Sequence, residues 1–430
     1  MALNNNTGTT APAPASTKRL LIAILSTIAL ADFGLGLNTV VLPLYAKSLG
    51  ASIITIGLII ASFGLARILI NIPTSIISKK LKSQYIHIGI AFIFAGAAGY
   101  FFSTAYWQLF IFRFMEGFGS GIINTSSMII LTKRLYQDEK RANVLSRYMI
   151  ARRLSMGSAP FLGAAIAYEF TDKAAFLLYT VIMAAGLIIA LYNKGFLNNI
   201  GMPETAEENE SESGKKSNKR DDKKDSADNK HGDFKKYLFL LKNISFIVLC
   251  FLTFSFFFSR IGSRRELVPL VGFSVMNLNK ADIGLLVSVS AVIGVILTYY
   301  SDRIINAMGI KQSIIASFII SAGGILSFIA FQNILAFGVS VILLSAGGGF
   351  SGPARNLYLM DSVDKSHYDE AIGIYRTLSD LGFILGPLAA GAVFNYFNYL
   401  SAYTLVAAVI IAATILFGLF AKSRENISAE

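Results

Sequence analysis

Charged side chains inside long apolar runs are the residues of this 430-residue sequence that can do chemistry. A charge at membrane depth is costly, so each one is paired, hydrated or functional. Asp32, Glu116 and Asp380 are candidates for proton exchange, because burial and a neighbouring Arg act in opposite directions on a carboxylate and make its protonation switchable. Asp32 and Arg67 both fall near the middle of their runs, and a structural salt bridge between them is the alternative.

Arginine is in excess over acidic residues in the same runs. Arg260 and Arg264 in the seventh run are four positions apart, hence on one helical face, and Glu266 follows them. This group either lines a central cavity or forms a solvated rim, and the apolar residues beyond it favour the cavity. A surplus of guanidinium groups favours carboxylate or phosphate ligands. The candidates for the cavity lining are Arg67, Arg113, Asn124, Arg153, Arg260, Arg264, Glu266 and Arg355.

Other chemistry has little support in the sequence. The histidines, His87, His231 and His367, do not form a metal set, and the single Cys250 excludes a disulfide framework. The sequence contains no nucleotide-binding G-x-x-x-x-G-K-[ST] loop. We therefore expect no catalytic residue, no metal and no cofactor, and we do not expect an enzyme.

The elements that must position these residues follow from composition. A content of 54% hydrophobic and only 15% charged residues, with a mean hydropathy of +0.58, excludes an ordinary soluble protein. A membrane-spanning helix needs roughly 20 apolar residues, and the sequence contains twelve such runs. They lie near 20–46, 53–77, 85–104, 106–132, 142–168, 174–193, 244–271, 282–301, 312–331, 333–359, 370–394 and 400–421.

A charged segment divides the twelve runs into six plus six. Lys and Arg concentrate at the run ends beside both tails and this segment, so the positive-inside rule makes all three cytoplasmic. The net charge of +12 follows from this bias rather than from nucleic-acid binding. We predict a disordered tail over 1–19, a six-helix bundle over 20–193, a charged linker over 194–240, a second six-helix bundle over 241–421 and a tail over 422–430.

Matching motifs indicate that the two halves are repeats. Pro160 in the fifth run and Pro387 in the eleventh each follow a Tyr by 12 residues, and a similar match joins the first and seventh runs. Arg153 and Asp380 each stand 7 residues before these prolines. Their equivalent positions make them candidates for a charge pair between the halves.

Several motifs resemble those of the major facilitator superfamily, and the resemblance covers nearly all of 20–420. The loop after the second run is similar to the family's G-x-x-x-D-R-x-G-R-K signature, with Ser78 in place of the Asp. The loop after the eighth run keeps the acidic and basic pair as Asp302 and Arg303. In this family the loop ties neighbouring helices together through a charge relay, which implies a gating role for these residues and for Lys79. A positively charged loop without a gating role is the alternative.

Two further motifs lie inside the runs. The R-x-x-E-G-x-G sequence that begins at Arg113 resembles the family's R-x-x-x-G-x-G motif, whose Arg lies near the substrate or proton route. Segments of the fifth and eleventh runs resemble the G-x-x-x-G-P-x-x-G-G signature of proton-coupled drug exporters. A proline permits a bend and glycines permit close sliding contact, as a moving interface needs. The matching residues are Gly157, Pro160 and Gly163 in the fifth run and Gly386 and Pro387 in the eleventh.

Together these observations predict an all-α integral membrane protein with twelve transmembrane helices in two pseudo-symmetric six-helix bundles. The resemblance implies a secondary active transporter that works by alternating access and exports small organic or amphiphilic compounds by proton antiport. The arginine surplus favours an alternative, an organic-anion symporter or exchanger. A transporter-like sensor that signals through the linker is a third hypothesis. We expect a monomer in the cell membrane, with both termini cytoplasmic, whose partners are a small-molecule substrate, protons and the lipid bilayer, without nucleic acid.

Overall fold

The structure is a computed structural model and is helical through most of the chain that it describes. Helices satisfy their own backbone hydrogen bonds, which an apolar segment in lipid requires. Most of the predicted linker and of both predicted tails lies outside the described residues. The structure describes 15–80, 85–134, 141–193, 240, 242–364 and 367–422, with side chains except at 15–24, 71–80, 85, 128–134, 141–150 and 368–369.

Twelve long helices follow one another in the described residues. The first half contains α1 (Ala15–Ser48), α2 (Ile53–Lys80), α3 (Tyr85–Phe102), α4 (Tyr106–Arg134), α5 (Arg141–Glu169) and α6 (Asp172–Tyr192). The second half contains α7 (Ile244–Ser274), α8 (Lys280–Tyr299), α9 (Ile310–Phe331), α10 (Ile334–Ser362), α11 (Tyr368–Tyr396) and α12 (Tyr399–Phe420), with a short helix, Ser301–Met308, between α8 and α9.

The helix bounds follow the predicted apolar runs to within a few residues, and the largest difference is at α1, which begins five residues earlier than predicted. Among the described residues, nine helices are long and apolar enough to cross a membrane. A tenth, α3, contains a shorter apolar stretch over Ile86–Phe102. The two others, α4 and α5, carry charged residues in mid-helix. Composition alone therefore identifies most of the spans.

The helices pack in two bundles with the same pattern of neighbours. In the first bundle, α1 packs against α5 and α6, α4 packs against α2 and α3, and α3 packs against α6. In the second bundle, α7 packs against α11 and α12, α10 packs against α8 and α9, and α9 packs against α12. Each pair recurs with an offset of six helices, which confirms the predicted pair of pseudo-symmetric bundles.

The bundles meet along two equivalent seams, α2 against α11 and α5 against α8. Small residues let the helix backbones approach closely there. A Cβ added at Gly57 of α2 would lie 2.7 Å from the carbonyl oxygen of Pro387, and one added at Gly284 of α8 would lie 2.8 Å from that of Pro160. The predicted proline segments of α5 and α11 thus form the contacts between the two bundles.

The bundles are also joined at the end remote from the chain termini, where α1 leads into α2 and α7 into α8. We call this the distal end. The ammonium group of Lys47 donates to the hydroxyl of Ser274, and that of Lys280 lies 2.6 Å from Oδ1 of Asp172. Both contacts link the first bundle to the second, so the distal end is closed in this conformation.

Candidate functional site

Three deeply placed carboxylates of the described residues each have an arginine partner, and for Asp32 and Asp380 this partner differs from the candidate named from the sequence. Asp32 of α1 accepts from Arg152 of α5, with Nε 2.6 Å from Oδ2 and Nη2 3.2 Å from Oδ1. Arg67 of α2 instead lies 3.6 Å from Asp380 of α11. The alternative of a salt bridge between Asp32 and Arg67 is therefore wrong, because α1 packs along α5 whereas α2 packs along α11 of the other bundle.

Glu116 of α4 is fully buried and is the centre of a hydrogen-bond network. Its Oε2 accepts from Nη1 of Arg113 at 2.6 Å and from the hydroxyl of Tyr100 at 2.7 Å. Its Oε1 accepts from Nδ2 of Asn38 at 2.9 Å. These donors come from α1, α3 and α4, so the carboxylate ties three helices of the first bundle together.

An aromatic pair lies beside the Arg67 and Asp380 contact on the seam between α2 and α11. The rings of Phe63 and Phe383 stack with their centroids 5.6 Å apart. The guanidinium carbon of Arg67 is 6.0 and 5.8 Å from these two centroids, and that of Arg265 on α7 is 5.9 and 5.6 Å away. Cations therefore lie over aromatic faces that belong to different bundles.

The predicted surplus of arginine lies at the centre of the molecule. We call Arg153 of α5, Arg260, Arg264 and Arg265 of α7, and Arg355 of α10 the arginine cluster. Arg260 is within electrostatic range of three of the others, and Arg265 of two. Among the described residues, none of the five forms a salt bridge with a carboxylate. The Glu116 carboxylate acts electrostatically on Arg265 but already pairs with Arg113, so most of the positive charge of the cluster is not neutralised by the described side chains.

Two members of the cluster are anchored on α8. Arg264 donates from Nη2 to the carbonyl oxygen of Val287 at 2.9 Å, and Arg153 donates from Nη1 to the hydroxyl of Thr298. The predicted charge pair of Arg153 with Asp380 is therefore wrong. The reason is topological, since α5 packs against α8 whereas α11 packs against α2.

The other members have unused hydrogen-bond donors or lie exposed. The Nη1 atoms of Arg265 and Arg355 are buried without a hydrogen-bond partner. The guanidinium carbon of Arg355 lies 3.9 Å from the ring centroid of Phe256, and that of Arg260 lies 5.7 Å from it. Arg260 is exposed in mid-helix although arginines of α5 and α10 lie near it. The space that it faces therefore lies between helices of both bundles.

Glu266, predicted to line the cavity, is enclosed by helices instead. It lies in the π-helical segment Gly262–Leu267 in the middle of α7 and has no exposed surface. Neither carboxyl oxygen has a hydrogen-bond partner in the structure. Its Oε1 lies against Gly57 of α2 and Gly391 of α11. Glu266 therefore lies on the seam between the bundles and not with the exposed Arg260.

Asn124 lies in the first bundle, away from the arginine cluster. It donates from Nδ2 to the hydroxyl of Ser120 at 3.2 Å. With Asp32 and the apolar residues around it, this pair lines a small cleft between α1, α3 and α4. The sequence candidates thus divide between this cleft, the seams and the arginine cluster.

The glycines of the exporter-like signature lie at helix contacts. Gly163 of α5 faces the backbone of Leu37 on α1, and Gly386 of α11 faces the backbone of Phe258 on α7, so both lie between equivalent pairs of helices in the two bundles. Gly157 packs against α8, where an added Cβ would lie 2.9 Å from that of Ala291. These positions leave little room for a side chain.

The predicted gating loops are described only in part. The side chains of Ser78 and Lys79, and all of 81–84, lie outside the described residues. Asp302 and Arg303 are exposed on the short helix after α8, where the guanidinium carbon of Arg303 lies 5.5 Å from the ring centroid of Tyr300. Their role in a charge relay stays a prediction.

Several partners of these charges are not predicted by the sequence. Arg152 binds Asp32, while Asn38 and Tyr100 bind Glu116. A polar amide within an apolar run is a signal that can identify Asn38, because an unpartnered amide in lipid is costly. Nothing in the sequence singles out Tyr100, since its partner depends on how α3 is rotated toward α4.

Two repeated bundles around a charged centre, with close seams between them, define a membrane transporter. The model of the Major Facilitator Superfamily matches residues 24–304 and 267–429. The chain belongs to this family, and it is a multi-pass membrane transporter rather than an enzyme.

Individual relatives are distant. An uncharacterised MFS-type transporter of Methanocaldococcus jannaschii is 22% identical over 388 residues, which is 88% of this chain and 93% of the relative. Multidrug resistance protein 2 of Bacillus subtilis is 27% identical over 160 residues, 36% of this chain and 40% of the relative. The crystal structure of the peptide transporter POT in complex with alafosfalin superposes with a TM-score of 0.73 at 12% identity, over 96% of this chain and 95% of that one. This last likeness concerns the fold alone.

Proposed function

We propose that this chain is a secondary transporter of organic anions, which bind at the arginine cluster and cross the membrane by alternating access. The observation that carries the proposal is the set of five guanidinium groups without a carboxylate partner among the described residues. They come from both bundles, so a ligand bound between them touches both moving parts.

Electrostatics supports an anionic ligand. Two like unit charges 8 Å apart repel by about 2 kcal/mol at an effective dielectric constant of 20. Arginine does not lose its proton in proteins, so the repulsion is not relieved by titration. A carboxylate or phosphate accepts two parallel hydrogen bonds from a guanidinium group and lowers the energy of the whole cluster. The Nη1 atoms of Arg265 and Arg355 are buried without a hydrogen-bond partner in this conformation, so an anion that reaches them satisfies donors that are otherwise unpaired.

Ligand binding to the purified full-length protein tests the proposal. We expect small organic mono- and dicarboxylates and phosphate esters to raise the unfolding temperature, because a ligand that binds only the folded state stabilises it. Lipophilic cations of similar size are expected to have no such effect. Stabilisation by the cations without stabilisation by the anions would contradict the proposal.

Variants of Arg260 assign the binding to the cluster. Loss of a charge-assisted hydrogen bond costs about 1.5 to 3 kcal/mol, so Arg260→Ala should weaken anion binding by about tenfold or more. Arg260→Lys keeps the charge and loses the bidentate geometry, and we expect an intermediate affinity. The matched control is Lys173→Ala, which removes an exposed cation at the distal end. Equal anion affinity in Arg260→Ala and the control would refute the assignment.

A second candidate is proton-coupled export of small organic or amphiphilic compounds. It is supported by the similarity of part of the chain to Multidrug resistance protein 2 and by the glycine and proline signature of α5 and α11. If Asp32 carries the proton, Asp32→Asn should abolish uphill transport and leave counterflow exchange intact. Unaltered proton-driven accumulation in Asp32→Asn would exclude Asp32 from this role.

The proposal also covers the orientation of the protein in the membrane. The protein is a monomer in the cell membrane, and both termini and the linker 194–240 are cytoplasmic. The positions of Lys and Arg support this orientation. In this orientation the distal end faces the extracellular side. Protease accessibility of the linker in sealed, right-side-out vesicles tests this orientation. Cleavage by a protease added outside would show that the linker is extracellular and the orientation is the opposite one.

A further inference from the structure

Among the residues that the structure describes, Glu266 differs from the three other deeply placed carboxylates, because no described arginine pairs with it. We propose that Glu266 carries a proton while the distal end is closed and releases it when the bundles part there. Opening of the transporter toward its distal side is then linked to ionisation of the Glu266 carboxyl group. This inference depends on alternating access and is independent of the charge of the substrate.

The enclosure of Glu266 is the first argument. Its side chain has no exposed surface, and both carboxyl oxygens lack a hydrogen-bond partner in the structure. A Cβ added at Gly57 would lie 2.8 Å from Oε1, and one added at Gly391 would collide with the same atom. Gly57 belongs to the first bundle, whereas Gly391 and Glu266 belong to the second. The carboxyl group is therefore held between the bundles, in a space that exists because two residues lack side chains.

The second argument is the cost of an isolated charge. An ionised carboxylate in such a space loses its hydration without gaining a counter-ion or a donor. The protonated acid avoids this loss, so the closed seam stabilises the neutral form. A π-helical turn interrupts α7 at this place, and such interruptions occur frequently at functional sites.

The charged and titratable groups on the surrounding helices are directed elsewhere. On α7, Arg264 bonds the carbonyl of Val287 and Arg265 lies over the aromatic pair. On α1, Lys47 bonds Ser274.

The remaining neighbours are distant or neutral. Arg67 of α2 is ten positions beyond Gly57 and Asp380 of α11 is eleven positions before Gly391, which at the helical rise is roughly 15 Å or more along each axis. Tyr403 of α12 lies beside Ser263 of the π-helical segment. None of these groups supplies a counter-ion to Glu266.

Opening of the distal end exposes Glu266 to water. Movement of α2 away from α7 and α11 removes Gly57 from the carboxyl group and admits water from the distal side. The hydrated carboxyl group then ionises, and its proton leaves to that side. Closure requires that a proton be taken up again. Asp32, Glu116 and Asp380 cannot replace Glu266 in this cycle without first leaving their arginine partners.

Accessibility of the seam, measured without any substrate, tests the proposal. Cys250 is replaced by Ser, and a reporter cysteine is introduced as Ala61→Cys. Ala61 is a buried residue of α2 that lies between Gly57 and Gly64, both of which contact α11. The full-length protein in nanodiscs is treated with a water-soluble maleimide over a range of pH. Thiol reactivity itself depends on pH. To correct for this, the labelling rate at Ala61→Cys is divided by the labelling rate of a protein with an exposed cysteine, Lys173→Cys.

The expected result is a corrected labelling rate that rises with pH by up to about tenfold per pH unit, the limit for linkage to one proton. Glu266→Gln, which mimics the protonated acid, should give a low rate without pH dependence. Asp282→Asn removes an exposed carboxylate of α8 at the same end and should retain the wild-type profile. A pH-independent rate in the wild type, or an unchanged profile in Glu266→Gln, would overturn the proposal.

Infrared spectroscopy provides a second measurement that detects the proton directly. At neutral pH the wild type should have the carbonyl band of a protonated carboxylic acid, and Glu266→Gln should lack it. If Glu266→Gln does not fold, the wild type alone decides, because the absence of any such band at neutral pH refutes a protonated Glu266. Failure of anions to bind would refute the proposed substrate class and leave both measurements unaffected.

Discussion

Replacement of Glu116 by Gln distinguishes a structural role of this residue from proton coupling. In the wild type, Oε1 accepts from Asn38 and Oε2 accepts from Tyr100 and Arg113. The glutamine amide keeps its oxygen toward Tyr100 and Arg113, and Asn38 rotates its own amide to accept from the new NH2 group. The hydrogen bonds survive, and the change removes only the negative charge.

The loss of this charge leaves Arg113 buried and uncompensated. Arg113 is 3% exposed, and its Nε already lacks a hydrogen-bond partner. The ring of Phe63, whose centroid lies 4.5 Å from the guanidinium carbon, contacts Arg113 in the wild type and in the variant alike. Removal of one partner of a buried ion pair costs about 3 to 5 kcal/mol. The hydrogen bond that Arg113 keeps to the glutamine oxygen returns about 0.5 to 1.5 kcal/mol of this cost, whereas the cation–π contact with Phe63 is present in both proteins and returns nothing. We therefore expect Glu116→Gln to lower stability by about 1.5 to 4.5 kcal/mol.

Thermal unfolding of the purified protein, followed by intrinsic fluorescence, measures this effect. The double variant Arg113→Met with Glu116→Gln removes both charges and keeps acceptors or donors for Asn38 and Tyr100. We expect its unfolding temperature to lie above that of Glu116→Gln alone, because it avoids the cost of an unpaired buried charge. Asp282→Asn, at an exposed carboxylate, is the control and should match the wild type. An unfolding temperature of Glu116→Gln equal to that of the control, together with loss of uphill transport, would refute the structural role and assign proton coupling to Glu116.

Three further predictions concern the seams and the linker. Gly284→Ala introduces a Cβ 2.8 Å from a backbone carbonyl oxygen of α5. It should destabilise the closed distal end by about 1 to 3 kcal/mol and raise the rate of maleimide labelling at Ala61→Cys. Gly323→Ala, whose Cβ meets no atom within 4 Å, should not change this rate. Lys280→Ala removes the ion pair with Asp172. It should increase the same labelling rate by no more than about fivefold, because partly exposed ion pairs contribute up to about 1 kcal/mol. A larger increase would mean that this ion pair is a main contribution to closure of the distal end. Deletion of 203–233 should leave anion binding and transport unchanged, whereas intact transport with a lost cellular response would favour the sensor hypothesis.

The distribution of charge in the two bundles is uneven, and this bears on mechanism. Asp32 and Glu116 are neutralised by arginines of their own bundle, and Asp380 by Arg67 of the other. The arginine cluster and Glu266 are the exceptions among the deeply placed charges that the structure describes. We therefore assign the arginine cluster to substrate binding and Glu266 to proton binding.

The sequence by itself determined the class of fold, because lipid imposes a local requirement. Each apolar run must form a helix of a certain length, so the spans, the division into six plus six and the repeat signalled by Pro160 and Pro387 could all be predicted from the chain. The charge excess of the spans was likewise visible in the residues. The resemblance to the family rested on these same local motifs.

Only the tertiary structure decided which charges meet. Asp32 and Arg67 are near the same depth, yet a pairing depends on the rotation of each helix and on which helices are neighbours. Here α1 faces α5 and α2 faces α11, so Asp32 binds Arg152 and Arg67 binds Asp380. The same rotations turn Glu266, next to Arg265 in the chain, onto the seam between the bundles. Pairing in space is a property of packing between helices, and a single sequence does not record it.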